Sequence, residues 1–156
     1  MQIVERNMVG KKSQEACEDG IVVTDDFIAV IDGSTSKTPT HLSPDMKNGR
    51  YAMVLISEFI RERLKAEASV DDFCQDVSSY IYNKVYKTLG MEERMKLHPE
   101  ERLTASAIVY SYSSSPIIRH ILASNFAAYA HWAVLFIASP ELDIELWSAK
   151  PTSFRM

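Results

Sequence analysis

The chain has 156 residues, 46% of them hydrophobic and 24% charged, and a formal net charge of −4. That balance suits one domain with its own core, and it argues against a nucleic-acid binder, which needs clustered Lys and Arg to neutralise phosphate. Cys17 and Cys74 are too few for a disulfide framework and lack the paired spacing of a zinc site.

The N-terminus, Met1-Gln2-Ile3-Val4-Glu5-Arg6, lacks the charged-then-apolar pattern of a secretory signal. The longest apolar run, Phe126 to Ala138, is interrupted by His131 and falls short of the roughly 20 residues that a membrane span requires. A cytoplasmic protein with no membrane partner is expected.

Residues 1 to 33 read as two or three short strands, punctuated by turns at Gly10-Lys11-Lys12 and Glu18-Asp19-Gly20. Ile21 to Thr24 and Phe27 to Ile31 form a hairpin joined by Asp25-Asp26. The apolar run Phe27-Ile28-Ala29-Val30-Ile31 then stops at Asp32-Gly33, so a buried strand delivers a carboxylate to its own end. Ser34 to Gly49, rich in Ser, Thr, Pro, Asn and Lys, is a loop lying over these carboxylates.

Arg50 to Lys65 is an amphipathic helix, with Met53, Ile56, Ile60 and Leu64 on its apolar face. A capping box at Ser69-Val70-Asp71-Asp72 starts a second helix, which carries Val70, Phe73, Val77, Ile81 and Val85 on one face until Leu89-Gly90 ends it. Both helices are expected to pack on one face of a sheet. Met91 to Arg102 is a short helical turn and loop. Thr104 to Tyr112 and Ile117 to Leu122 are strands separated by Ser113-Ser114-Ser115-Pro116. Asn125 to Phe136 is apolar on nearly all sides and reads either as a buried helix or as a strand pair, while Ile144 to Trp147 reads as an edge strand.

Glu18, Asp19 and Asp32 are hard oxygen ligands suited to Mg²⁺ or Mn²⁺. A carboxylate at a strand end can bridge two ions about 4 Å apart, an arrangement that supports in-line phosphoryl transfer. The plainer alternative is that these are solvated turn acids, which are common. Two other motif readings of this stretch fail. A phosphate loop ending at Lys37-Thr38 would need Gly where Ile31 and Ser36 stand, and a dehalogenase-type nucleophile would need Asp where Val30 stands. His41, His98 and His131, and Tyr80, Tyr82 and Tyr86, read as surface, core or packing residues.

Cys17-Glu18-Asp19, a strand pair, and Phe27 to Gly33 together resemble the opening of the type 2C metal-dependent serine/threonine phosphatase family. Arg102-Leu103-Thr104-Ala105-Ser106-Ala107-Ile108-Val109 resembles that family's later strand, which follows two long helices. The Ser-Thr-Ser-Lys loop after Asp-Gly is most similar to divergent bacterial members. The resemblance spans roughly residues 7 to 122, about the first half of such a domain.

The resemblance implies an α+β fold, a partial αββα sandwich of antiparallel sheets flanked by two long helices. Residues 1–122 would form a phosphatase-like N-terminal half-domain, with a divergent segment, 123–156, packed on it. Asp32 would bridge both ions of a binuclear Mg²⁺ or Mn²⁺ centre, with the Gly33 carbonyl as a ligand, Glu18 a ligand to one ion and Asp19 bound directly or through water. Metal-activated water, rather than a side chain, would attack the phosphate of a phosphoserine or phosphothreonine protein substrate. Lys11, Lys12, Ser34 and Lys37, with Thr35 and Ser36 of the same loop, are the candidate phosphate contacts.

The chain also departs from the family pattern. Gln14 stands where the family places a phosphate-binding Arg, and Lys11 and Lys12 lack the bidentate fork of Arg. Leu122-Ala123-Ser124-Asn125 replaces the expected Gly-Asp, and Asp143 is the only Asp beyond Ile121. A truncation or an altered reading frame would explain this change. Two readings follow: a phosphoprotein phosphatase, or a catalytically deficient relative that binds a protein partner. With half the sandwich strands missing, exposed apolar faces are expected either to be covered by the chain itself or to pair two chains as a homodimer.

Overall fold

A computed structural model describes Met8, Gly10, Ser13, residues 15–35 and 38–111, and the backbone of 119–124. The first hairpin explains the rest of the sheet. Strand β1 (Asp19–Val23) turns into β2 (Phe27–Gly33) through Asp25-Asp26, where the Thr24 amide donates to the Phe27 carbonyl at 2.9 Å. The Thr24 hydroxyl accepts from the Phe27 amide, also at 2.9 Å. The loop lacks glycine, and this hydroxyl closes it instead.

Helix α1 (Asn48–Glu62) and helix α2 (Val70–Ile81) follow, and α2 runs on into a π-helical turn, Tyr82–Lys87. A short α3 (Glu92–Leu97) and a 3-10 turn, Pro99–Glu101, lead back to β3 (Ala105–Ser111) and β4 (Arg119–Ser124). The strands form one four-stranded sheet in the order β1-β2-β3-β4, every neighbouring pair antiparallel. The class is α+β, with the helices inserted between two strands that are neighbours in the sheet. Among the described residues there is this one sheet, and no helix is long and apolar enough to cross a membrane.

Alternation along the strands decides which side the helices cover. Val22 on β1, Phe27, Ala29 and Ile31 on β2, and Ala105, Ala107 and Val109 on β3 are buried on one face. Against them pack Leu55, Ile56, Phe59 and Ile60 of α1 and Phe73 and Val77 of α2. The Phe59 ring meets Phe73 edge-on, with centroids 5.9 Å apart, and lies 5.8 Å from the Tyr80 ring.

Helix α2 begins as its sequence requires. The Ser69 hydroxyl accepts from the Asp72 amide, and the Asp72 carboxylate accepts from the Ser69 amide, a complete capping box. The Ser69 hydroxyl also donates to the Asp72 carboxylate at 2.6 Å, and this bond, with the one from the Ser69 amide, holds the Asp72 carboxyl below its ordinary range. At the far end Gly90 takes φ +64°, the left-handed conformation that stops a helix.

Three differences from the sequence expectations have physical reasons. Asp19 and Gly20 belong to β1 rather than to a turn, because a Cβ at Gly20 would stand 2.5 Å from the Met53 Sδ of α1. The glycine there serves helix packing. The π-helical turn widens the end of α2, where Val85 and its neighbour Tyr86 are both buried and the Tyr86 hydroxyl accepts from the Leu103 amide at 2.9 Å. Strand β4 runs two residues past its expected end at Leu122, since its ladder continues to the Ser106–Ser124 pair. The expectations for Lys11, Lys12, Gln14, Ser36, Lys37 and residues 125–156 lie outside the described residues.

Candidate functional site

The site grows out of the hairpin register. A two-residue loop at Asp25-Asp26 sets Asp19 opposite Asp32 as Cα partners. The Gly33 amide donates to the Glu18 carbonyl at 3.0 Å, so Glu18–Gly33 is a hydrogen-bonded pair. The antiparallel ladder alternates, and Asp19–Asp32 is therefore a non-hydrogen-bonded pair, the kind whose side chains approach most closely, with Cα atoms about 4.5 Å apart. Both carboxylates stand on the face away from the helices. Like charges directly opposed across strands are destabilising by themselves, and a divalent cation between them reverses that sign.

Gly33 sits at the junction of strand and helix. A Cβ there would stand 2.0 Å from the Gly49 carbonyl oxygen and 2.8 Å from the Glu18 carbonyl oxygen. A Cβ at Gly49 would stand 2.7 Å from both the Glu18 Oε1 and the Ser34 carbonyl oxygen. Two glycines thus let the first turn of α1 press against the strand end that carries Asp32. Ser34 is tied back to the sheet, its amide donating to the Thr104 carbonyl at 2.9 Å.

Glu18 occupies the other side of this junction. Its Oε2 accepts from the Thr35 hydroxyl at 2.6 Å, which pins the loop after Asp-Gly to the start of β1. Its Oε1 is buried without a hydrogen-bond partner. Helix α1 has no side-chain N-cap and no acid in its first turn, so the Glu18 carboxylate supplies negative charge at a helix end that favours it. An orphaned carboxylate oxygen still costs desolvation free energy, and a bound cation would offset that cost.

Two of the residues making contacts here, Gly49 and Arg50, are not singled out by the sequence, while the third, Thr35, belongs to the loop expected to lie near a bound phosphate. Gly49 makes room for Glu18, Thr35 holds it, and Arg50 Nη1 donates to the Cys17 carbonyl at 2.7 Å. Gly49 reads as the end of a loop in the sequence but lies in the first turn of α1, so its close approach to Glu18 has no local sequence signal. Buried Cys17 donates its thiol to Asp19 Oδ2 at 3.7 Å.

Asp19 and Asp32 fit a hard divalent ion that keeps several waters, because Mg²⁺ is commonly held by one or two carboxylates. Glu18, next to Asp19 in sequence, points instead to the helix side, where it is engaged with Thr35 and Gly49. Among the described residues no three His, Cys, Asp or Glu side chains are grouped to hold one ion. An open cleft of about 680 Å³, lined by residues 41–47 with Leu89 and Met91, contains none of these acids. Comparisons with protein-family models, curated proteins and solved structures gave no match to this chain.

Proposed function

We propose that this chain is a divalent-cation-binding protein with the architecture of the first half of a type 2C phosphatase, acting on phosphoserine or phosphothreonine proteins. The observation that carries this reading is the Asp19–Asp32 cross-strand pair; the orphaned Glu18 oxygen at the Gly33–Gly49 junction lies on the helix side of the same strand end. When bound, Mg²⁺ or Mn²⁺ supplies charge neutralisation at a phosphoryl group and lowers the pKa of water. The chain's own residues do the positioning. Asp19 and Asp32 would hold the ion on the open face, the Gly33 backbone fixes Asp32 against α1, and Glu18 with Thr35 sets the loop carrying Ser34 close to the site. The two free cysteines suit a reducing, cytoplasmic setting.

A second reading, a relative that binds cation and protein partner without turnover, is favoured by one observation. Among the described residues only Asp19 and Asp32 share the open face at this end, and Glu18 is engaged with Thr35. Mn²⁺-dependent hydrolysis of p-nitrophenyl phosphate by the wild-type chain and by Asp32→Ala separates the two readings. Hydrolysis that Asp32→Ala abolishes supports the phosphatase. Saturable Mn²⁺ heat in calorimetry with hydrolysis at the blank level supports the binding module, and neither signal in the wild-type chain would retire the cation site altogether.

A further inference from the structure

The face of the sheet away from the helices is ordered in cross-strand rows. At one end stand Asp19, Asp32 and Ser106, in register with Ser124. The next row is Ile21, Val30 and Ile108, with Leu122 at the matching register position on β4. Beyond it come Val23, Ile28 and Tyr110. Val30 is 49% exposed, Ile108 39% and Val23 37%, although α1 and α2 bury the opposite face of the same strands. A β-branched row in solvent leaves a layer of the fold uncovered.

The chain itself carries a matching surface. Strand β4 ends at Ser124, on the sheet, and the run from Phe126 to Ile137 that follows contains no Asp, Glu, Lys or Arg. Strands lie about 4.8 Å apart, so the four span about 15 Å between outer axes. Twelve residues span about 18 Å as a helix and more as a strand, so the run is long enough in either form.

We propose that Phe126–Ile137 docks within its own chain on the open sheet face, over the Ile21–Val30–Ile108 row. Pairing this face with a second copy would bury the row but leave Phe126–Ile137 without a cover, whereas the intramolecular contact buries both surfaces. Concentration favours the same choice. A short tether gives an effective concentration of about millimolar, which outcompetes a second chain at micromolar concentration by roughly a thousandfold. Because the segment lacks charge, it matches the aliphatic rows and leaves the Asp19–Asp32 end to polar ligands. This inference is independent of the cation site.

The test is a photo-cross-linking residue, p-benzoylphenylalanine, placed at Val30 in the full chain, with a second chain carrying it at Ile108. Both positions are exposed, so both variants are expected to fold. Irradiation of each should give a cross-link to the peptide containing Phe126–Ile137 in a species of monomer mass. The same probe at Leu97, 75% exposed on α3, should lose that cross-link. A cross-linked dimer from Val30 or Ile108, cross-links confined to other peptides, or no protein cross-link would each overturn the proposal. A dimer mass by light scattering at micromolar concentration, before irradiation, would overturn it as well.

Discussion

On the helix-covered face of the sheet, Ala29 and Ile31 of β2 lie beside Val22 of β1 and Ala107 and Val109 of β3, all buried under α1 and α2. One residue out of step along the same strands, Asp19 stands opposite Asp32, and Val30 stands in solvent beside Ile108. Parity along the strand is all that separates a face that stabilises the fold from one that carries the two acids and an exposed aliphatic row. The helix face can therefore be weakened without touching the acids, and the acids can be changed without cost to the core.

The largest effect should come from the helix face. Phe73→Ala removes a fully buried ring from between the helices and should cost about 3–5 kcal/mol in urea unfolding. In the fraction still folded, Mn²⁺ affinity should be unchanged, and a parallel loss would break the separation of the two faces. Gly33→Ala probes the place where the faces meet. Its methyl group would collide with the Gly49 backbone, so a loss of about 1–3 kcal/mol is expected together with weaker Mn²⁺ binding, since α1 must shift away from the strand end. Stability loss with full Mn²⁺ affinity would show that Asp32 does not depend on that packing.

Ser69→Ala should cost about 1 kcal/mol by removing the α2 cap, again without effect on the acids. The same cap gives a pH signature. Asp72 has a lowered folded pKa because Ser69 hydrogen-bonds its charged form, so its contribution is complete above the unfolded value of about 3.9 and is lost as pH falls through the lower folded value. Acid titration of helicity should show this loss in the wild-type chain and not in Asp72→Asn.

The smallest stability change has the opposite sign. Asp19→Asn removes one of two opposed carboxylates and should stabilise the metal-free chain by about 0.2–1 kcal/mol, while the rise in melting temperature expected with Mn²⁺ in the wild-type chain should be lost. Destabilisation of the metal-free chain would contradict the repulsion assigned to this pair.

Features set by local chemistry were legible in the sequence. Ser69 and Asp72 announce the start of α2 and Gly90 its end, because caps and left-handed stops involve neighbours in the chain. The Thr24–Phe27 loop length already places residue 19 opposite residue 32, so the acidic pair was available by counting across the hairpin. Features set by distant contact were hidden. Gly20 reads as a turn until Met53 lies over it, and Gly49 reads as the end of a loop until Glu18 lies against it. Thr35 reads as a candidate phosphate contact until it donates to Glu18. The resemblance to the type 2C opening named the acids, while the alternation of the strands assigned Asp19 and Asp32 to one face and Glu18 to its own contacts.

The most direct test of the central claim is paramagnetic broadening of backbone amide resonances by substoichiometric Mn²⁺, read across the whole chain. The account predicts that Asp19, Asp32 and Gly33 broaden first in the wild-type chain and that Asp32→Asn removes this selectivity. Uniform broadening, or broadening that begins at the Asp71-Asp72 turn of α2, would contradict it.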